Sequence, residues 1–199
     1  MPLIEDEMPA DPLALFDRWF QDAVTAGAPQ PEAVALATAG AGGEPSGRMV
    51  LFKGLEAGSF LFYSNYESRK GHDLAANPRA ALVFYWPVTR HQVRVSGTVR
   101  RLSRGASADY FHSRPRGAQL SALASRQSRV VRSREVLERE VLKLAADHPA
   151  EVPLPRDWGG YALRPRWIEF WENRDDRLHD RIRYVRRSGG AWRMERLAP

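Results

Sequence analysis

Arg177-Leu178-His179-Asp180-Arg181 gathers two guanidiniums, an imidazole and a carboxylate into five positions, beginning six residues after Trp171. Groups of these types bind anions and carry protons. In an extended strand alternate side chains share a face, so Arg177, His179 and Arg181 are expected to point one way and Leu178 and Asp180 the other. Three such groups in a row repel each other and make a poor core. They read as one wall of a site for an anionic ligand. A solvated basic strand satisfies the same pattern, because the chain is rich in arginine.

Three further constellations carry similar chemistry. Arg48 and Lys53 bracket the apolar run Met49-Val50-Leu51-Phe52. Tyr63-Ser64-Asn65 precedes Ser68-Arg69-Lys70-Gly71-His72, where hydroxyls, two cations and the free N–H groups of a helix start would suit a phosphate. An ordinary capped helix with solvated charges looks the same. Tyr110-Phe111-His112-Ser113-Arg114-Pro115-Arg116 puts a phenol, a hydroxyl and two guanidiniums around a helix break, which a surface loop also explains. Arg126-Gln127-Ser128 and Trp171 add polar and aromatic candidates. The five histidines, His72, His91, His112, His148 and His179, lack metal-ligand spacing. Neither a GxGxxG nor a GxxxxGK[ST] pattern is present.

The elements that must position these groups follow from periodicity. Residues 11–26 read as a helix capped by Asp11 with Pro12 in its first turn, burying Leu13, Phe16, Phe20 and Val24 and ending at Gly27. Residues 33–39 form a short buried strand, and 40–47 a turn. Residues 48–53 and 59–64 read as two strands of a hairpin around 54–58. A short helix over 67–77 ends at Asn77-Pro78. Strands follow over 80–86 and 92–102. Helices are expected over 103–112, 117–125 and 133–147, the last with Leu137, Val141 and Leu144 on its apolar face. Three or four strands from Tyr161 to Leu197, with a turn at Ser188-Gly189-Gly190, complete the chain. Six to eight mostly antiparallel strands with inserted helices suggest a barrel or a sandwich.

At 199 residues, 43% hydrophobic and 27% charged, the chain fits one soluble domain. Residues 1–10 are expected to be a short, flexible acidic arm, and 11–199 a single domain. No window is apolar enough for a membrane span, and Met1–Ala10 does not resemble a signal peptide. Cysteine is absent, which excludes disulfides, thiolate metal sites and cysteine nucleophiles. A cytoplasmic location is expected. The net charge of +6 suits anionic partners. Arginine number is weak evidence here, because only Lys53, Lys70 and Lys143 are lysines among 30 basic residues.

Taken in order, these segments resemble the pyridoxamine 5′-phosphate oxidase family. The resemblance runs from about Ala10 to Pro199. It rests on Pro9–Leu13, Arg48–Lys53, Tyr63-Ser64, Ser68–Lys70, Gln92, Tyr110–Arg116, Gln127-Ser128, Glu151–Pro155, Trp158–Gly160, Ile168–Trp171, Arg177–Arg181 and Arg196–Pro199. It implies a mainly β (α+β) fold, an FMN-binding split β-barrel with peripheral helices, working as a homodimer with FMN at the subunit interface. It implies an oxidase that makes pyridoxal 5′-phosphate from the pyridoxine and pyridoxamine phosphates, with dioxygen reduced to hydrogen peroxide. By the same resemblance Arg48, Met49, Val50, Leu51, Lys53, Tyr63, Ser64, Ser68, Arg69, Lys70, Gln92, Gln127, Ser128, Trp171 and Arg181 would bind FMN. Lys53, Tyr110, Arg114 and position 118 would hold the substrate phosphate. Arg177 and His179 would sit over the substrate ring as the catalytic pair. No metal is implied.

Two departures stand out. The family's phosphate clamp usually carries a serine at the position of Ala118, so one hydroxyl donor is missing. The family often has a longer basic N-terminal arm, whereas Ile4-Glu5-Asp6-Glu7-Met8 is short and acidic. Other readings are a related flavin oxidase of the phenazine-biosynthesis type, a non-catalytic carrier of flavin or B6 phosphate, and a basic nucleic-acid binder. No basic stripe beyond the general arginine excess supports the last.

Overall fold

A computed structural model describes residues 3–199. Nine strands form one antiparallel sheet: β1 (Ala33–Ala39), β2 (Pro45–Leu51), β3 (Leu55–Glu56), β4 (Ser59–Asn65), β5 (Arg79–Trp86), β6 (His91–Arg101), β7 (Trp158–Glu172), β8 (Asp180–Arg186) and β9 (Trp192–Arg196). Five helices lie around it: α1 (Pro12–Thr25), α2 (Arg69–Ala76), α3 (Arg104–Ser113), α4 (Arg116–Ala124) and α5 (Arg134–Asp147). None of these helices is long and apolar enough to cross a membrane.

The sheet runs β2-β1-β5-β6-β7-β4-β3, with β8 on β7 and β9 on β8. The strand β7 organises this layout. Its first half, Trp158 to Leu163, pairs with β4, and its second half, Trp167 to Glu172, pairs with β8. Both halves face β6 on the other side, with a register shift at Ser96/Gly97. There the chains approach so closely that a Cβ on Gly97 would lie 2.0 Å from the Arg164 carbonyl oxygen, so only glycine fits. The sheet thus splits into two lobes along a single strand.

Alternation fills the core. On β1 the residues Val34, Leu36 and Thr38 are buried, and on β5 Ala80, Leu82, Phe84 and Trp86. Phe16 from α1 plugs the interior, with ring centroids 4.8 Å from Phe60, 4.9 Å from Phe84 and 5.3 Å from Phe52. The cap of α1 is as expected: the Asp11 carboxylate accepts the Leu13 N–H at 3.0 Å. A second apolar cluster of Phe111, Leu120, Val152 and Trp158 lies beneath α3, α4 and α5.

Several expectations need correction. The buried face of α1 is Leu15, Phe16, Trp19 and Ala23, while Val24 is exposed. The stripe is rotated because Trp19 packs edge-on against Phe170 and flat on His91. Residues 48–53 do not form a hairpin with 59–64. β2 starts at Pro45 and pairs with β1, and the actual hairpin is β3–β4, turning at Ala57 and Gly58, both with positive φ. Leu137 on α5 is exposed, and Val141, Leu144 and Ala145 pack on the second cluster.

The largest correction concerns residues 177–181. Strand β8 starts at Asp180, and Arg177 has φ +67°, so Arg177 and His179 lie in a loop rather than on one strand face with Arg181. The described part of the acidic arm packs against the body of the protein. Leu3 is buried in the main core, Tyr184 donates to the Pro9 carbonyl at 2.9 Å, and Glu5 pairs with Arg196 at 2.6 Å. Met1 and Pro2 of that expected arm lie outside the described residues.

Candidate active site

The cleft begins at the edge strand β2. Its residues alternate, so Arg48 and Val50 turn partly inward while Met49 (62% exposed) and Leu51 (43%) face outward. Arg48 is tied down by its own chain. It donates to the Leu36 carbonyl at 3.1 Å, to Thr38 Oγ1 at 2.7 Å and to Ser46 Oγ at 2.5 Å, with Asp73 at 3.6 Å. Burial still pushes this guanidinium below its ordinary value, partly offset by Asp73.

Helix α2 supplies the second cation. Ser68 caps the helix: its Oγ accepts from the Gly71 N–H at 3.3 Å and from Lys70 Nζ at 3.2 Å. A Cβ on Gly71 would strike the Tyr66 carbonyl at 2.0 Å, so the tight entry to this helix requires glycine. Lys70 is only 7% exposed and has no carboxylate within ion-pair distance among the described residues. Its Nζ donates to Gln127 Oε1 at 2.7 Å. Burial, with repulsion from Arg48 behind it, holds this ammonium down at about 8. Ser64 also donates to Gln127 Oε1, at 3.1 Å, so what Gln127 can still offer a ligand is its amide N–H groups.

A second cationic group lies further along the same cleft. Tyr63 stacks on Tyr110 at 3.8 Å, and both lie roughly parallel to Trp158. The Arg114 guanidinium lies 4.9 Å over the Trp158 ring, and Lys53 Nζ is 5.9 Å from the Tyr110 ring. Arg114 Nη1 is buried without a hydrogen-bond partner, and burial lowers its proton affinity. Gln119 fixes the break between α3 and α4 by donating to the carbonyls of Arg114 at 2.7 Å and His112 at 3.3 Å.

Together these elements enclose a cleft of about 570 Å³. Of the residues the sequence singled out, Arg48, Met49, Val50, Leu51, Lys53, Tyr63, Ser64, Lys70, Tyr110, Arg114 and Gln127 line it. Ser68 sits beneath Lys70. Arg69 and Ser128 flank a small neighbouring cavity, with the Arg69 N–H donating to Ser128 Oγ at 3.3 Å and its guanidinium paired with Glu44 at 3.2 Å. Ala118 does not line the cleft. Helix α4 starts at Arg116, which leaves the Ala118 methyl on its first turn, while Ser121, Ala122 and Ser125 line the cleft from later turns. Ser121, Ala122, Ser125 and Trp158 were missed as site residues. The i, i+4 spacing of the two serines was the available signal.

Gln92, Trp171, Arg177, His179 and Arg181 lie elsewhere. Gln92 is opposite Trp171 across β6–β7, and Trp171 is opposite Arg181 across β7–β8. The Trp171 and His179 rings are 4.8 Å apart. Arg181 is held by Glu169 at 2.9 and 3.0 Å and by the Ala198 carbonyl at 2.8 Å. None of the five lines the cleft of the same protomer. Among the described residues no group of His, Asp and Glu gathers to hold a metal.

The cleft therefore offers hydrogen-bond donors and cations in two places, backed by stacked aromatic rings. It suits an aromatic ligand or ligands carrying anionic groups. Comparison with known proteins agrees. Residues 20–146 match the family described as pyridoxamine 5′-phosphate oxidase. Residues 158–199 match the pyridoxine 5′-phosphate oxidase C-terminal dimerisation region. A pyridoxine/pyridoxamine 5′-phosphate oxidase of Salinibacter ruber is 52% identical over 200 residues, covering 99% of this chain and 93% of the relative. One from Cupriavidus pinatubonensis is 50% identical over 197 residues with the same coverage. Among solved structures, PhzG from Burkholderia lata 383, in complex with tetrahydrophenazine-1-carboxylic acid, superposes with a TM-score of 0.93. It is 33% identical, with 99% of this chain and 98% of that one covered. A related FMN-binding protein of Nostoc punctiforme shares the fold at a TM-score of 0.77 and 18% identity, covering 96% of this chain and 100% of that one. With both halves matched and relatives at half identity along its whole length, the chain belongs to the pyridoxamine 5′-phosphate oxidase family.

Proposed function

We propose that the protein is an FMN-dependent oxidase converting pyridoxamine 5′-phosphate and pyridoxine 5′-phosphate to pyridoxal 5′-phosphate, with dioxygen reduced to hydrogen peroxide. One observation carries this reading: a single cleft holds two separate groups of cations, Lys70 beside Arg48 and Arg114 beside Lys53, of which only Arg48 has a carboxylate partner among the described residues. FMN and the substrate each bring a phosphate of about −1.5 to −2 charge, so one pocket must hold roughly four negative charges. The residues fit the flavin, because the buried Lys70 ammonium needs an anion that the protein does not provide.

In this reading Arg48, Lys70, Ser64 and Gln127 hold the FMN phosphate. Met49, Val50 and Leu51 give the flavin an apolar strand edge to lie along. Lys53, Tyr110 and Arg114 hold the substrate phosphate, with Ser121 and Ser125 adding hydroxyl donors. The chemistry FMN supplies when bound is two-electron oxidation of the substrate, with dioxygen as the final acceptor. The protein's part is binding, orientation and exclusion of water.

The five site residues outside the cleft support a homodimer. Gln92, Trp171, Arg177, His179 and Arg181 from one protomer would complete the cleft of its partner, with Arg177 and His179 over the substrate ring. The match of residues 158–199 to a dimerisation region and the exposed Met49 and Leu51 on edge strand β2 both favour this assembly. A cytoplasmic location belongs to the same proposal.

The test is to follow hydrogen peroxide and pyridoxal 5′-phosphate in parallel from FMN-loaded protein given pyridoxine 5′-phosphate. Equal production of both is expected, and absence of turnover despite bound FMN would overturn the substrate assignment. The similarity to PhzG favours one alternative, an oxidase acting on a tricyclic acid. Faster turnover of tetrahydrophenazine-1-carboxylic acid than of pyridoxine 5′-phosphate would select it.

A further inference from the structure

Asp180 belongs to the motif that first drew attention, yet none of the roles above uses it. It is 8% exposed and collects donors from three parts of the chain. Its Oδ2 accepts from Arg174 Nε at 2.8 Å, from Arg174 Nη2 at 2.6 Å and from the Leu3 N–H at 3.4 Å, and its Oδ1 accepts from Arg196 Nη1 at 2.8 Å. Arg196 is in turn locked to Glu5 at 2.6 and 2.8 Å and donates to the Leu3 carbonyl. The chain's beginning and its last strand therefore meet on this carboxylate.

Arg174 is the link to the loop. Its side chain is held by Asp180, while its backbone N–H donates to His179 Nδ1 at 3.0 Å. His179 and Asp180 are adjacent, so the loop from Arg174 to His179 is drawn closed at its neck by three hydrogen bonds from one residue. The loop is pinned elsewhere too. The Arg177 N–H donates to the Arg174 carbonyl at 3.2 Å, the Leu178 N–H to Asp176 Oδ1 at 3.0 Å, and Asp175 pairs with Arg90. Arg177 is thereby held at φ +67°, a left-handed conformation that a non-glycine residue keeps only when its surroundings impose it. Its guanidinium has no hydrogen-bond or ion-pair partner among the described residues.

We propose that Asp180 is a positioning residue: through Arg174 it closes this loop and fixes the His179 ring with Nδ1 as acceptor, so that His179 presents Nε2–H to the substrate as a hydrogen-bond donor. A neutral imidazole carries one proton, and a ring whose Nδ1 accepts a backbone N–H carries it on Nε2. In this state His179 has no free lone pair to take a proton from substrate. Arg177 and His179 together then form a pair of donors aimed at oxygen or anionic atoms of the ligand, not a base beside a cation. The inference rests on the assignment of Arg177 and His179 to the substrate site.

Two measurements on the full-length, FMN-loaded dimer separate this inference from that assignment. The first is nitrogen NMR of histidine-labelled protein, with His179 identified by His179→Gln. A single neutral tautomer protonated at Nε2 is expected, and a ring protonated at Nδ1 or exchanging between both forms would overturn the proposal whether or not the protein turns over B6 phosphates. Asp180→Asn is expected to convert His179 to a mixture of tautomers and to lower kcat about tenfold while FMN affinity stays within twofold. Unchanged His179 signals in a folded Asp180→Asn protein would sink the positioning role. Should that variant fail to fold, Arg196→Gln loosens the same carboxylate from its exposed side and is expected to shift the His179 signals in the same direction, while unchanged signals count against the proposal. The second measurement is kinetic. Glutamine can offer an N–H donor where His179 has Nε2, so His179→Gln is expected to keep kcat within about tenfold. A loss of a thousandfold or more would show that the ring acts as a base.

Discussion

Two regions of the molecule treat buried charge in opposite ways. Around β7–β8 the buried carboxylates are each matched by arginines. Glu169, 3% exposed, holds Arg181 at 2.9 Å and Arg94 at 3.3 Å, and Asp180 holds Arg174 and Arg196. In the cleft between β2, α2 and α4, Lys70 and Arg114 are desolvated and left without carboxylates. The first arrangement builds a scaffold. The second stores a cost that an anionic ligand would relieve, which marks the cleft as a candidate binding site; in the proposed dimer the β7–β8 loop would be the rigid cover of the partner's cleft.

Removing one buried charge from each region should therefore move stability in opposite directions. Glu169→Gln leaves Arg181 and Arg94 facing a neutral amide and is expected to destabilise by about 2–4 kcal/mol in urea denaturation. Lys70→Met removes an unpaired ammonium and is expected to stabilise the ligand-free protein by about 1–3 kcal/mol. The same change should weaken FMN about 100-fold, as a charge-assisted contact to phosphate is lost. If Lys70→Met destabilises, the contrast between the two regions is wrong.

Acidity sharpens the comparison. Lys70 is held at about 8 in the free protein, and a bound phosphate would raise that value. Binding then takes up a proton above pH 8, so affinity should be flat from pH 7 to 8 and fall at higher pH by up to about tenfold per unit. A fluorescence titration of FMN would show this, and Lys70→Met should abolish the slope. The scaffold responds to acid instead. His91, stacked 3.8 Å from Trp19 with its Nδ1 buried and unpartnered, is pushed down to about 4 by burial. The unfolded chain takes up this proton below about 6.5 and the folded chain resists until about 4. Stability present above 6.5 is lost as pH falls through that window, by roughly 1–2 kcal/mol after allowing for partial exposure. Thermal melts of His91→Phe should lack that loss.

The smallest effect concerns the substrate-phosphate end. Ser121→Ala is expected to raise the KM for pyridoxine 5′-phosphate about fivefold, near the ~1 kcal/mol of one hydrogen bond. Ala118→Ser should change it by less than about threefold, since that position does not line the cleft. A larger gain from Ala118→Ser than loss from Ser121→Ala would mean that the phosphate sits nearer the start of α4.

Local chemistry was the legible part of the sequence. The Asp11-Pro12 start of α1, the limits of β1 and the glycine turn before β9 were each readable because one residue type dictates the backbone there. The cations of the cleft were visible as motifs, and the family resemblance supplied their grouping. Partnerships over distance were not legible. The two strands around residues 54–58 looked like a hairpin because they are neighbours in sequence, but β2 belongs to β1 and β4 to β7. Residues 177–181 misled for a related reason: the period-two rule presumes a strand, and the bonds from Arg174 and Asp176 that bend this segment into a loop have no periodic signature.

The meeting of Leu3, Glu5, Asp180 and Arg196 has a consequence for how the protein is made. The contacts of Leu3 with Asp180 and of Leu3 and Glu5 with Arg196 span 177 to 193 positions, and β9 is translated after the eight strands before it. The cleft of β2, α2 and α4 can form earlier, but the β7–β8 loop, which in the proposed dimer would cover the partner's cleft, cannot be secured until Arg196 has emerged. On the proposed function, a chain cut before β9 would hold the flavin without a settled loop to meet substrate, so translation of β9 is itself the step that arms it.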